Sequence, residues 1–169
     1  KFQDSIVSEQ VESQFVLYHS FISSSLNIGL ITPKDVIDRV KKLSVQNRIP
    51  INSYEGFLRQ IIGWREYMRY CYEFHYKEII ESNYFSNKKS LDTKWYSNEK
   101  NVTGVDPVDE CIQKAYNCGY LHHIERLMII LNWMTLNEIH PKEMYKWFIS
   151  CVSIDAYDWV MVSNIYIFS

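Results

Sequence analysis

Gly119-Tyr120-Leu121-His122-His123-Ile124-Glu125-Arg126-Leu127-Met128 places two adjacent histidines and an arginine on an otherwise apolar stretch. Imidazole titrates near neutrality, so a histidine here can serve as a general acid. A guanidinium stranded among apolar side chains costs several kcal/mol, so Arg126 requires an acidic partner or an anionic ligand. Asp155 and Asp158, in Ile154-Asp155-Ala156-Tyr157-Asp158-Trp159, are the acidic candidates downstream. Helical spacing sets His122 and Arg126 one turn apart on a shared face. Adjacent helical residues point about 100° apart, and no other histidine stands at ligand spacing, so the pair is not expected to hold a metal. A single histidine in such a place is commonly a satisfied, half-buried side chain. Two beside Arg126 favour a polar site inside a helical protein.

Two further stretches carry chemistry-bearing side chains. Leu17-Tyr18-His19-Ser20-Phe21-Ile22-Ser23-Ser24-Ser25-Leu26 clusters hydroxyls where helical segments meet. Hydroxyls and free backbone N–H groups at such a junction can bind phosphate, although serines there also serve as plain caps. Arg59-Gln60-Ile61-Ile62-Gly63-Trp64-Arg65-Glu66-Tyr67 sets two arginines around a tryptophan. Arg59, Gly63 and Tyr67 share a face, and Gly63 would admit a close approach. The plainer reading is a solvated face with Arg65 paired to a neighbour.

The elements that must position these groups read as helices, and the fold class is all-α. Val11 to Leu26 carries a helical apolar face, interrupted by Ser23-Ser24-Ser25. Thr32-Pro33 starts a helix, with Thr32 as N-cap and Asp35 at the third position, running to about Gln46. Asn47 to Asn52 is a loop, and Ser53 caps a helix through Phe57, Ile61, Trp64 and Met68 to about Tyr72. A short helix follows over Glu73 to Ser82. Asn83 to Thr103 is the longest loop. Val105 to Cys118 is a helix stopped by Gly119, Leu121 to Leu136 is the His/Arg helix, and a last helix runs from Lys142 to about Val152. Val160 to Ile167 is the one β-like run.

At 169 residues the chain is about one domain, long enough to bury a core, and its 47% hydrophobic and 22% charged content is globular. The 15% aromatic share suits either a ring-filled core or a cavity that stacks a planar ligand or relays electrons. A net charge of −2 excludes overall cationic steering toward nucleic acid and leaves only a local basic patch for that purpose. Cys71, Cys111, Cys118 and Cys151 show no CxxC spacing and read as buried thiols of a reducing, cytoplasmic compartment. No apolar run approaches the roughly 18 residues of a membrane span, and no signal peptide is recognisable. The chain begins at Lys1 and stops in Asn164-Ile165-Tyr166-Ile167-Phe168-Ser169, which reads as a fragment of a longer protein.

Taken in order, these motifs resemble the FAD-binding helical region of the photolyase/cryptochrome family. The resemblance is strongest to the prokaryotic (6-4) photolyase branch that carries an iron–sulfur cluster. Phe2-Gln3-Asp4 resembles that branch's entry to the FAD domain. His19 through Pro33 is similar to the phosphate-cradling motif, and Glu55 through Tyr67 to the branch signature. Thr103-Gly104 with Pro107-Val108-Asp109 resembles the turn before the core FAD helices. The closest stretches are Tyr120 through Met128 with Asn132-Trp133, and Asp155-Ala156-Tyr157-Asp158-Trp159-Val160 with Asn164.

The resemblance covers residues 1–169 and implies part of a helical FAD-binding catalytic domain, without the amino-terminal α/β antenna domain or the carboxy-terminal remainder. It implies that Ser20, Ser23 and Ser24 contact the FAD phosphates, and that Gln60, Trp64 and Arg65 line the flavin or the substrate mouth. Arg126 and Asp155 would pair against the isoalloxazine ring, with Asn164 near flavin N5. His122 and His123 would match the histidine pair in which one member gives a proton to the lesion. Trp95, Trp147 and Trp159 are the candidates for electron transfer. The branch's early cluster-ligating cysteine falls at Pro107, while Cys111 lies one turn on. This is a departure from the cluster-binding pattern; the remaining ligands of a possible four-iron four-sulfur cluster, and an antenna chromophore, would lie in parts of the full-length protein outside this chain.

The implied function is light-driven DNA repair by a monomer. An electron passes from excited reduced FAD to a pyrimidine (6-4) photoproduct in UV-damaged DNA. Two rivals stand beside it: a cryptochrome-like photosensor that does not repair, and a helical interaction module whose His/Arg helix is ordinary core.

Overall fold

The computed structural model describes residues 19–168, so Phe2-Gln3-Asp4 and the part of the Val11–Leu26 stretch before His19 lie outside the described residues. Helices α1 (Ser23–Asn27), α2 (Pro33–Asn47) and α3 (Ile51–Leu58) come first. A π-helical segment, π1 (Arg59–Trp64), joins α3 to α4 (Arg65–Glu81). A 3₁₀ turn at Thr93–Tyr96 interrupts the long loop, and α5 (Asp106–Cys118) follows. The second π segment, π2 (Glu125–Leu131), continues into α6 (Asn132–Leu136), then α7 (Pro141–Cys151) and α8 (Asp158–Phe168). Among the described residues there is no strand, only one isolated bridge between Lys89 and Ile139. The fold is all-α.

Local chemistry explains most boundaries. Thr32 Oγ1 accepts from the Asp35 N–H at 3.2 Å and the Asp35 carboxylate accepts from the Thr32 N–H at 2.9 Å, a reciprocal capping box with Pro33 behind it. Gly119 ends α5 at φ +62°. A Cβ there would also stand 3.2 Å from the Ile154 side chain. His140 caps α7 by accepting from the Lys142 N–H at 3.1 Å.

Four expectations are corrected. Ser23-Ser24-Ser25 does not interrupt a helix but opens α1. Ser53 is not a cap: Pro50, with its ring-fixed φ of −54°, starts α3, and Ser53 donates its N–H to the Pro50 carbonyl at 3.0 Å. No break follows Tyr72, because the Arg69–Glu73 pair at 2.8 Å spans that point within α4. The β-like run Val160 to Ile167 is helix α8. Its residues Met161 through Tyr166 are all buried, so no 3.6-residue polar/apolar alternation marks the segment.

Packing divides into two cores. The larger gathers Trp95, Ile112, Leu121, Ile130, Met134, Trp147, Phe148, Val152 and Val162 from the 3₁₀ turn and α5 through α8. The smaller consists, among the described residues, of Leu26, Val36 and Ile61 beneath α1, α2 and π1. The α8 helix packs along both α4 and α7, and the candidate site lies where α1 meets π2 and α8.

Candidate functional site

Asp155 sits in the turn between α7 and α8 and is fully buried. Arg126, on π2, brings Nη1 to 2.8 Å from Asp155 Oδ2. The arginine of an apolar helix thus has the acidic partner its burial requires. Ser23 Oγ donates to the other carboxylate oxygen, and Asn27 Nδ2 donates to the Asp155 backbone carbonyl at 2.8 Å. One carboxylate therefore ties α1 to π2. Arg65 adds a second tie: it donates to the Leu26 carbonyl at 2.9 Å, and its guanidinium lies 4.8 Å from the Trp159 ring centroid.

The histidines take different places. His122 does not share a helical face with Arg126; it precedes the helix, and its carbonyl accepts the Arg126 N–H at 3.0 Å. After the Gly119 stop the winding does not resume until His123, which leaves His122 in the cap. Its ring stacks on His19, centroids 4.5 Å apart. His123 lies inside the winding and presents its ring edge-on to Trp64 at 5.6 Å, and Trp64 in turn stacks on Phe168 at 5.8 Å. Burial pushes His122 down to about 3, with His19 and Lys114 adding to the effect. Burial, then the Arg126 charge, pushes His123 down to about 4. Neither ring keeps the near-neutral titration expected of it, because desolvation disfavours the imidazolium.

A small cavity with mainly apolar walls opens beside this assembly. His123, Arg126 and Asn164 line it together with Leu131, Phe148 and Met161. Two polar atoms of these lining residues, Arg126 Nε and Asn164 Oδ1, are buried and have no hydrogen-bond partner. Ser20, Ser23 and Ser24 do not line it. Ser23 reaches it indirectly through Asp155, Ser24 is half-buried in α1, and Ser20 is exposed. Gln60 is exposed on π1, while Trp64 and Arg65 are half-buried. Both π segments carry expected site residues, and π windings are frequent at functional sites.

Among the tryptophans, Trp95 and Trp147 meet directly. Trp147 Nε1 donates to the Trp95 carbonyl at 2.9 Å and the ring centroids are 5.6 Å apart. Phe148, on the cavity wall, is 5.1 Å from the Trp147 ring. Trp133, 5.1 Å from Trp95, extends the group; the sequence displayed it in Asn132-Trp133 without suggesting this role. Trp159 stands apart, against Arg65 and Tyr157.

Asp158, the other acidic candidate for Arg126, is taken by the hydroxyls of Tyr72 and Tyr145. The bond to Asp158 pushes Tyr72 up to about 12. Burial first, then Asp158, raises Tyr145. Neither tyrosine carries a sequence signal, because their meeting joins α4, α7 and α8 across long separations.

The four cysteines are free thiols. Cys111 is buried, and that burial raises its thiol, while Pro107 is exposed. Among the described residues no group of three or more His, Cys, Asp or Glu side chains is disposed to hold a metal ion, and no helix is long and apolar enough to cross a membrane.

No protein-family model matches the chain. It is 37% identical over 149 residues to a (6-4) photolyase of Agrobacterium fabrum, a match that covers 88% of this chain and 29% of that protein. The chain thus spans under a third of that relative's length. It is 41% identical over 104 residues to R853, an uncharacterized protein of Acanthamoeba polyphaga mimivirus, covering 61% of this chain and 77% of the viral protein. A second uncharacterized protein of the same virus, R855, is 51% identical over 39 residues. The chain therefore belongs to one family with R853, and over most of its own length it is similar to part of the (6-4) photolyase.

Proposed function

We propose that the chain forms part of the FAD-holding helical domain of a light-driven DNA repair enzyme that acts on pyrimidine (6-4) photoproducts. The observation that carries this reading is the Arg126–Asp155 pair at the edge of a cavity where Arg126 Nε and Asn164 Oδ1 are buried without partners. Buried polar atoms normally find hydrogen bonds, so an unpaired donor and an unpaired acceptor on lining residues suit a ligand carrying both kinds of group. Apolar walls with a few convergent polar groups are the usual build of a cofactor site. The flavin edge offers ring carbonyls and N–H groups, so the donor set fits.

When bound and reduced, FAD supplies the light-driven electron; orientation, dryness and proton supply fall to the protein. In this reading Arg126, held by Asp155, and Asn164 orient the ring, and Phe148 and Met161 exclude water. His123, beside Trp64, faces the lesion, which is flipped out of UV-damaged DNA; a damaged base costs less to unstack. Trp95 and Trp147 lead away from the cavity through Phe148, while Trp159 is held with Arg65 on a separate path. Ser20 and Ser24 retain hydroxyls for phosphate, whereas the Ser23 hydroxyl is engaged by Asp155.

One observation favours a photosensor instead. With both imidazoles pushed well below neutrality, neither is the imidazolium that a general acid requires at pH 7. Repair then requires that lesion binding raise the His123 value, for example through the charge of an adjacent phosphate.

The test is an absorption spectrum of the purified full-length protein, followed by blue-light repair of oligonucleotides bearing (6-4) lesions. Flavin bands with repair are expected, and His123→Ala at equal flavin content should slow repair about 10²–10⁴-fold. Flavin bands without repair would favour the photosensor. A protein with no flavin bands after reconstitution would leave the helical interaction module.

A further inference from the structure

We infer that the two histidines divide their labour: His122 is a positioning residue that caps the site helix, with Glu125 and Lys114 completing the device, and only His123 addresses the cavity. This rests on the reading of His123 and Arg126 as site residues. The geometry is that of a capping box with an imidazole in place of the usual hydroxyl. His122 Nδ1 accepts from the Glu125 N–H at 3.4 Å, and Glu125 Oε2 accepts from the His122 N–H at 3.0 Å. Each residue thus satisfies a backbone donor that a helix start leaves open.

The rest of the His122 ring is enclosed. Nε2 is buried 3.3 Å from Glu125 Oε1 without a hydrogen bond, and one ring face is covered by His19. No part of His122 lines the cavity. Glu125, itself buried, would be a costly lone carboxylate. Lys114 of α5 brings Nζ to 2.9 Å from both of its oxygens. The cap is therefore anchored to a second helix. It fixes the turn from which His123 and Arg126 project one winding apart.

A proton donor and a cap respond differently to asparagine, whose carboxamide oxygen is a good cap acceptor but whose nitrogen is no acid. His122→Ala and His122→Asn should be compared in the full-length protein loaded with FAD, scoring thermal midpoint, flavin affinity and repair per bound flavin. His122→Ala should lower the midpoint and weaken flavin retention. His122→Asn should recover most of both and repair within about threefold of the parent, since its oxygen replaces Nδ1. A folded, flavin-loaded His122→Asn that repairs about 10²-fold or more slowly would overturn the assignment, because that is the loss of a general acid. A thermal cycle of His122→Ala, Glu125→Ala and the double variant tests the cap without any repair readout. Strong non-additivity is expected; additive losses would overturn the cap even where repair is normal. If the parent protein repairs nothing, the proposed function fails while this cycle still decides the present inference.

Discussion

The two cores of this protein are built by different means. Around Trp147, Phe148, Met134 and Ile130, side chains from four helices and the 3₁₀ turn bury one another almost completely. Beneath α1, α2 and π1, the described residues supply Leu26, Val36 and Ile61, with most of α2 facing solvent. That smaller body is held to the larger by directed polar contacts: Ser23 and Asn27 on Asp155, and Arg65 on the Leu26 carbonyl. Hydrophobic burial is non-directional and scales with area, so a small apolar seam leaves room for opening. Charge-assisted hydrogen bonds are directional and set register instead. The candidate site lies on this seam, where a strong core meets a weakly packed flap.

Breaking the seam should have the largest effect. Asp155→Ala strands Arg126 and removes the acceptor of Ser23, so a loss of about 3–5 kcal/mol is expected in denaturant unfolding. Amide exchange should rise first over 19–31; uniform acceleration across the larger core instead would mean that the two bodies are one cooperative unit.

Acid should weaken the same region next. The unfolded chain protonates each histidine near 6.5, the folded chain only near 3 for His122 and 4 for His123. Between those values the unfolded state binds more protons, so stability falls as pH falls, by up to about 1.4 kcal/mol per pH unit for each ring. Unfolding free energies at pH 7, 5.5 and 4.5 should trace this slope, and His123→Gln should flatten it. An unchanged slope in that variant would remove His123 from the account.

Leu26→Ala empties part of the small core and should cost about 2 kcal/mol, the low end for buried leucines, because a thinly packed site can collapse. Exchange should again be local to α1 and α2. A loss as large as the upper end of that range would show the small core to be as rigid as the large one. Thr32→Ala should cost least, about 1 kcal/mol for a lost cap, with fraying confined to the start of α2. Thr32→Asp should restore the parent midpoint.

Helix α2 was legible almost residue by residue, since Thr32, Pro33 and Asp35 act on backbone groups within one turn. The Gly119 stop and the Asn83–Thr103 loop were legible for the same reason: their causes are local. The need of Arg126 for a carboxylate was also readable, because charge on an apolar stretch must be answered. Helix α8 was misread because it is buried on every side, which erases periodicity. The role of His122 was misread because the non-helical Tyr120-Leu121 link leaves it in the cap rather than in the helix, and a hydrophobic pattern does not register such a shift.

By itself the sequence determined the all-α class, most caps and stops, and the set of polar groups that burial would force into partnership. These follow from backbone geometry and desolvation, which act over a few residues or on composition alone. Tertiary structure alone decided that Asp155 rather than Asp158 answers Arg126, that Tyr72 and Tyr145 claim Asp158, and that Trp133 joins Trp95 and Trp147. It also decided which histidine reaches the cavity. Each of these depends on how α1, α4, α7 and α8 stack. Partners separated by tens of residues are selected by that stacking, and no local propensity encodes the choice.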